Sequence, residues 1–64
     1  MKIKFIPSEK VIIINGPRRV NKLAKELGIS LESHVFIRNN TILTPDEHLN
    51  EDDEIEILSV ISGG

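Results

Sequence analysis

Val20-Asn21-Lys22-Leu23-Ala24-Lys25-Glu26-Leu27-Gly28, residues 20–28, is where the periodicity of the chain changes. Val20, Leu23, Ala24 and Leu27 stand at i, i+3, i+4 and i+7 and form one apolar stripe, with Asn21, Lys22, Lys25 and Glu26 on the other side. This spacing predicts a short amphipathic helix whose stripe needs an apolar surface to cover. Gly28 takes the position of a left-handed C-cap, and Lys25 puts a cation in the last turn, where the helix dipole favours it. The start is less well marked. Arg19 stands where Ser, Thr, Asp or Asn would cap, so the first N–H groups are expected to find water or Asn15.

On both sides of the helix the period falls to two. Ile3 and Phe5 alternate with Lys2 and Lys4, Pro7-Ser8-Glu9 reads as a turn, and Val11-Ile12-Ile13-Ile14 is a β-branched run closed by Asn15-Gly16-Pro17. After the helix, Val35-Phe36-Ile37 is a short strand turned at Asn39-Asn40, and Thr41-Ile42-Leu43 pairs back. Pro45 interrupts pairing, Leu49 plugs the core from a one-turn segment, and Glu54-Ile55-Glu56-Ile57-Leu58 alternates as a final strand. The fold class is therefore α+β: a mixed sheet of four to five strands with one helix packed across it. A right-handed crossover through the helix places the next long strand parallel to an earlier one. Ile3, Phe5, Ile12, Ile14, Val35, Ile37, Ile55 and Ile57 are expected to point inward. Phe36 and Leu58 then point to the opposite face, either as scattered surface hydrophobics or as a docking patch rimmed by His34 and Arg38.

The chain has 64 residues, no cysteine and a formal charge of -2. A domain this small buries only about 60% of its unfolded surface, so a deep catalytic cleft is not expected. Without cysteine there is no disulfide, thiolate ligand or cysteine nucleophile, and the core alone holds the fold. Neither a signal peptide nor a membrane span is legible, so a cytosolic protein is expected. Basic residues populate the first half, whereas Asp46, Glu47, Glu51, Asp52, Asp53, Glu54 and Glu56 crowd the approach to the end. That run is solvated surface or a steering patch for a basic partner. With Phe5 and Phe36 the only aromatics and an acidic balance, direct nucleic-acid binding is disfavoured. His34 and His48 lack metal-ligand spacing, the acidic residues lack the pattern of a calcium loop, and there is no Gly-x-Ser-x-Gly elbow or phosphate loop. No bound metal or cofactor and no catalytic residue is expected.

The sequence closes on Val60-Ile61-Ser62-Gly63-Gly64. Paired glycines are a poor way to finish a strand, since glycine loses the most backbone freedom on folding and packs nothing. They suit a thin, extended tail that threads a narrow channel and presents a carboxylate, although a frayed end would look the same. The division expected is a domain over residues 1–59 and a tail over residues 60–64.

Taken together, Gly16-Pro17-Arg18 entering the helix, the Leu23–Gly28 segment, and Asp53-Glu54-Ile55-Glu56-Ile57 running into Val60-Ile61-Ser62-Gly63-Gly64 resemble one family. It is the β-grasp, ubiquitin-like sulfur carriers, which serve thiamin synthesis, molybdopterin synthesis and tRNA 2-thiolation, and the ending looks most like the tRNA-thiolation members. Arg19 departs from the frequent Thr of the family, and Asn39-Asn40 from the common Asn-Gly. The resemblance implies that an E1-like enzyme, using ATP, adenylates the Gly64 carboxylate. A persulfide sulfur then replaces AMP and leaves a thiocarboxylate for a tRNA-thiolating enzyme. It implies a monomeric carrier rather than an enzyme. The alternatives are a protein modifier joined through Gly64 to lysines, a carrier for thiamin or molybdopterin synthesis, and an interaction module whose glycines are incidental.

Overall fold

The computed structural model of the chain describes residues 1–60. Its elements are β1 (Lys2–Ile6), β2 (Val11–Ile13), β3 (Arg18–Arg19), α1 (Val20–Leu27), β4 (His34–Arg38), β5 (Thr41–Ile42), β6 (His48–Leu49) and β7 (Glu54–Ser59). Five strands form one sheet in the order β2-β1-β7-β4-β5, and β3 pairs with β6 in a separate two-stranded ribbon. Strands β1 and β7 are parallel, whereas the other neighbours in the large sheet are antiparallel. Strands β2 and β4 consequently run the same way, and the crossover through α1 leaves the gap beside β1 that β7 fills.

The helix runs from Val20 to Leu27, as its stripe predicts, and Gly28 closes it in the left-handed conformation at φ 71°. Two carbonyls close to the start of α1 replace the missing side-chain cap. The N–H of Val20 donates to Glu47 at 3.0 Å, and that of Asn21 to Pro45 at 2.8 Å. Two of the first N–H groups are therefore satisfied by the 45–47 backbone and not by Asn15, and the β3–β6 ribbon holds that backbone in place. Arg19 adds a hydrogen bond from its Nη1 to the Asp46 carbonyl at 2.8 Å. Leu49 is fully buried, as expected, but it enters the core from β6 and not from a helical turn.

The core lies between the sheet and the apolar stripe of α1. Ile3, Val20, Leu23, Phe36, Leu49, Ile55 and Ile57 are its fully buried side chains. Phe5, Ile12, Ile14 and Leu27 pack on it from the margin.

The strand register corrects one expectation. Phe36 stands opposite Ile57, and Val35 opposite Leu58. Residues paired across a sheet share a face, so Phe36 points inward with Ile57, while Val35 and Ile37 point outward. The sequence had offered either residue set of β4 to the core, because every residue of Val35-Phe36-Ile37 is apolar. A shift of one position then exchanges all faces.

Candidate functional site

Strand β7 carries the chain toward its end from the middle of the sheet, held along one side by β1 and along the other by β4. Its last cross-strand pair is Ser59 with His34. One residue on, the Val60 N–H donates to the Ser33 carbonyl at 2.9 Å, while the Val60 side chain is 47% exposed. The loop after α1 thus pins the root of the tail. Ile61, Ser62, Gly63 and Gly64, the remainder of the expected tail, lie outside the described residues.

Of the expected docking residues, Leu58 alone sits on the outer face. Its row across the sheet is Ile6, Leu58 and Val35, beside the root of the tail. Phe36, 1% exposed, is a core residue and cannot contact a partner. His34 and Arg38 share its parity and flank it on the helix side of β4. The Nδ1 of His34 lies 2.9 Å from Ser33 Oγ and 3.0 Å from the Ser30 carbonyl. A carbonyl can only accept, so Nδ1 carries the proton. The outer patch is therefore Ile6, Val35 and Leu58. Val35 and Ile6 escaped sequence reasoning because only the β1–β7–β4 register reveals them. The next outer row mixes charge with apolar surface: Val11, Lys4, Glu56, Ile37 and Ile42.

Arg38 has a positioning role instead. Its Nη1 donates to Asp53 Oδ2 at 2.8 Å and to the His48 carbonyl at 3.0 Å. The Asn50 N–H donates to the same Asp53 oxygen at 2.8 Å, and the Lys2 N–H to the Asp53 carbonyl at 3.0 Å. One aspartate thereby fastens the 48–53 loop to β4 and β1 and fixes where β7 begins. The Asn50 N–H, followed by the Arg38 guanidinium, holds the Asp53 carboxyl below its ordinary pKa despite the opposing effect of desolvation.

A carboxyl with a lower pKa in the folded state adds stability above its unfolded value. That stability is lost as pH falls from about 4 through the folded pKa. Asp53→Asn is expected to cost about 1 kcal/mol at neutral pH, since hydrogen bonds to a charged acceptor exceed neutral ones. It is also expected to flatten the acid limb of a stability–pH curve measured by urea unfolding. An unchanged acid limb would show that the clamp adds nothing.

His34 and His48 belong to different strands, and among the described residues no group of three His, Cys, Asp or Glu side chains could hold a metal ion. Nor is any described helix long and apolar enough to cross a membrane.

Comparison with known proteins places this geometry. The family model described as the ThiS family matches residues 2–64. The chain belongs to the ThiS family. Its β-grasp fold is the one just described, a mixed five-stranded sheet covered by one helix. Among curated relatives, the sulfur carrier protein TtuB of Thermus thermophilus is 36% identical over 59 residues, covering 92% of this chain and 91% of that protein. An uncharacterized protein of Archaeoglobus fulgidus is 34% identical over 67 aligned residues, covering 100% of this chain and 97% of its own length.

Proposed function

We propose that this ThiS-family chain is a sulfur carrier that serves tRNA 2-thiouridine formation through its Gly64 carboxylate. The observation that carries the reading is the family match, which runs through Gly63 and Gly64, on a fold whose central strand β7 ends at Ser59, five residues before the last glycine in sequence. The similarity to a protein named as a sulfur carrier supports it.

The chemistry follows from the terminal group. A carboxylate with a pKa near 3.5 is ionised at neutral pH and resists nucleophilic attack, so it needs a leaving group before sulfur can enter. An E1-like enzyme supplies that group by adenylation with ATP, and the outer sulfur of a persulfide donor then displaces AMP to form an acyl disulfide. Attack of a thiol on the donor's sulfur breaks the S–S bond, forming a disulfide with the donor and leaving the thiocarboxylate. The carrier contributes no catalyst and binds no cofactor: Gly64 carries the sulfur, Gly63 gives access, and Val60, Ile61 and Ser62 span the distance from the domain. The Ile6, Val35 and Leu58 row, lying beside the root of the tail, docks the activating enzyme. The acidic residues that precede β7 steer it there.

Intact mass of the protein isolated from its native cells tests the reading. A fraction carrying sulfur in place of one oxygen at Gly64 is expected, together with loss of tRNA 2-thiouridine in a deletion strain. Gly64 remnants on lysines of other proteins, with no thiocarboxylate, would establish a protein modifier. Thiamin or molybdopterin auxotrophy with intact 2-thiouridine would move the carrier to another pathway.

A further inference from the structure

Among the described residues, the exposed large hydrophobics are Val11 and Ile13 on β2, Ile42 on β5, and Val60. The strand residues therefore sit at the two edges of the sheet. Edge strands present unpaired backbone groups, and proteins guard them with charge, proline, bulges or brevity. Strand β5 is guarded by brevity, ending after Thr41–Ile42. Strand β2 is not. The Phe5 N–H donates to the Lys10 carbonyl at 2.8 Å, and the Ile14 N–H to the Met1 carbonyl at 2.9 Å, so the ladder runs from Lys10 to Ile14. Between those limits stand only Val11, Ile12 and Ile13, with no charge and no proline.

The same hydrogen bonds aim the backbone groups of Lys10 and Ile14 at β1. Alternation then turns the N–H and C=O groups of Val11 and Ile13 to the open edge. Their side chains share the outer face and are 45% and 69% exposed.

We propose that β2 pairs antiparallel with β2 of a second copy of this chain, about a two-fold axis at Ile12. In that register Val11 lies opposite Ile13 of the second copy, and the two residues exchange their free backbone hydrogen bonds. The four exposed side chains meet on one face. Lys10 falls opposite Ile14 and Glu9 opposite Asn15, so no like charges meet. A parallel arrangement would set Lys10 beside Lys10 and Glu9 beside Glu9, which disfavours it. The contact is isologous and closes on itself. It joins two sheets edge to edge and leaves β7 two strands away, so the root of the tail stays open. A contact built on one three-residue edge strand is expected to fall below the roughly 1,000 Å² of stable interfaces, so the dimer is weak and concentration-dependent, in contrast to the monomer expected from the sequence.

Sedimentation over a concentration series, paired with amide hydrogen exchange, tests this. The full chain is expected to dimerise in the upper micromolar range, with exchange at Val11 and Ile13 slowing as concentration rises. Ile13→Lys should weaken association at least about tenfold by placing charge on the edge. Val11→Pro removes an N–H that faces away from β1 and should weaken it likewise, with the melting curve reporting that each variant folds. Monomer alone up to about 1 mM, concentration-independent exchange at Val11 and Ile13, or undiminished association of folded Ile13→Lys would each overturn the proposal.

Discussion

Phe36→Ala is expected to remove most of the stability of the domain. The ring is 1% exposed and belongs to the cluster that joins α1 to the sheet, packed among such residues as Leu23, Ile55 and Ile57. Phe→Ala substitutions in cores cost about 3–5 kcal/mol, from lost transfer energy and the cavity left behind. A chain of 64 residues has little to lose, on the scale of about 0.05–0.15 kcal/mol per residue. In a domain of this size each kcal/mol lowers the melting temperature by about 4–8 °C, so a fall of some tens of degrees is expected in a thermal melt. Leu58→Ala makes the useful contrast. Leu58 is half-buried on the outer face, so its truncation should leave the domain folded while weakening binding to the activating enzyme. A small loss for Phe36→Ala would mean that the β4 register is shifted by one residue, and the faces assigned here would exchange.

That register marks the limit of what the residues alone disclose. The helix was legible because its four apolar positions fit one period and Gly28 fits one cap. The strands β1 and β7 were legible because charged and apolar residues alternate in them, which names the buried face without ambiguity. Strand β4 offers no such contrast: Val35, Phe36 and Ile37 are all apolar, and choosing the inward set requires the pairing partner in β7. The β3–β6 ribbon was hidden for another reason. Two residues have no periodicity, and the ribbon joins Arg18–Arg19 to His48–Leu49, far apart in sequence, beside the 45–47 carbonyls that meet the first N–H groups of α1. The part played by Arg38 was likewise invisible, since nothing local to Arg38 points to Asp53, fifteen residues on. For the site, the residue types at the end of the chain and the family resemblance suggested the chemistry proposed above, and Leu58 lies on the outer face, as its alternation in β7 required. Its neighbours Ile6 and Val35 come from strands distant in sequence, brought together by a parallel and an antiparallel pairing that only the folded sheet supplies.

Deleting Gly64, or adding one residue after it, is expected to abolish activation while leaving thermal stability unchanged. Among the described residues the buried core ends at Ile57 and the last backbone anchor is at Val60, so a change at residue 64 is expected to leave that packing as it is. The chemistry proposed for the carrier tolerates neither. An added residue turns the Gly64 carboxylate into an amide, which cannot be adenylated. A deletion keeps a carboxylate but withdraws it by about 3.3–3.6 Å, the span of one extended residue. Misplacing a reacting group by about 1 Å can already cost 100-fold, so the shortened tail loses turnover even if its domain still docks. The two variants therefore separate docking from chemistry. Both should compete with the full chain for the activating enzyme through the Ile6, Val35 and Leu58 row, and neither should support release of pyrophosphate from ATP. Pyrophosphate release that survives either change would exclude Gly64 as the activated residue. Competition that is lost along with activation would place the binding energy in the tail and leave the outer face of the sheet without a part in partner choice.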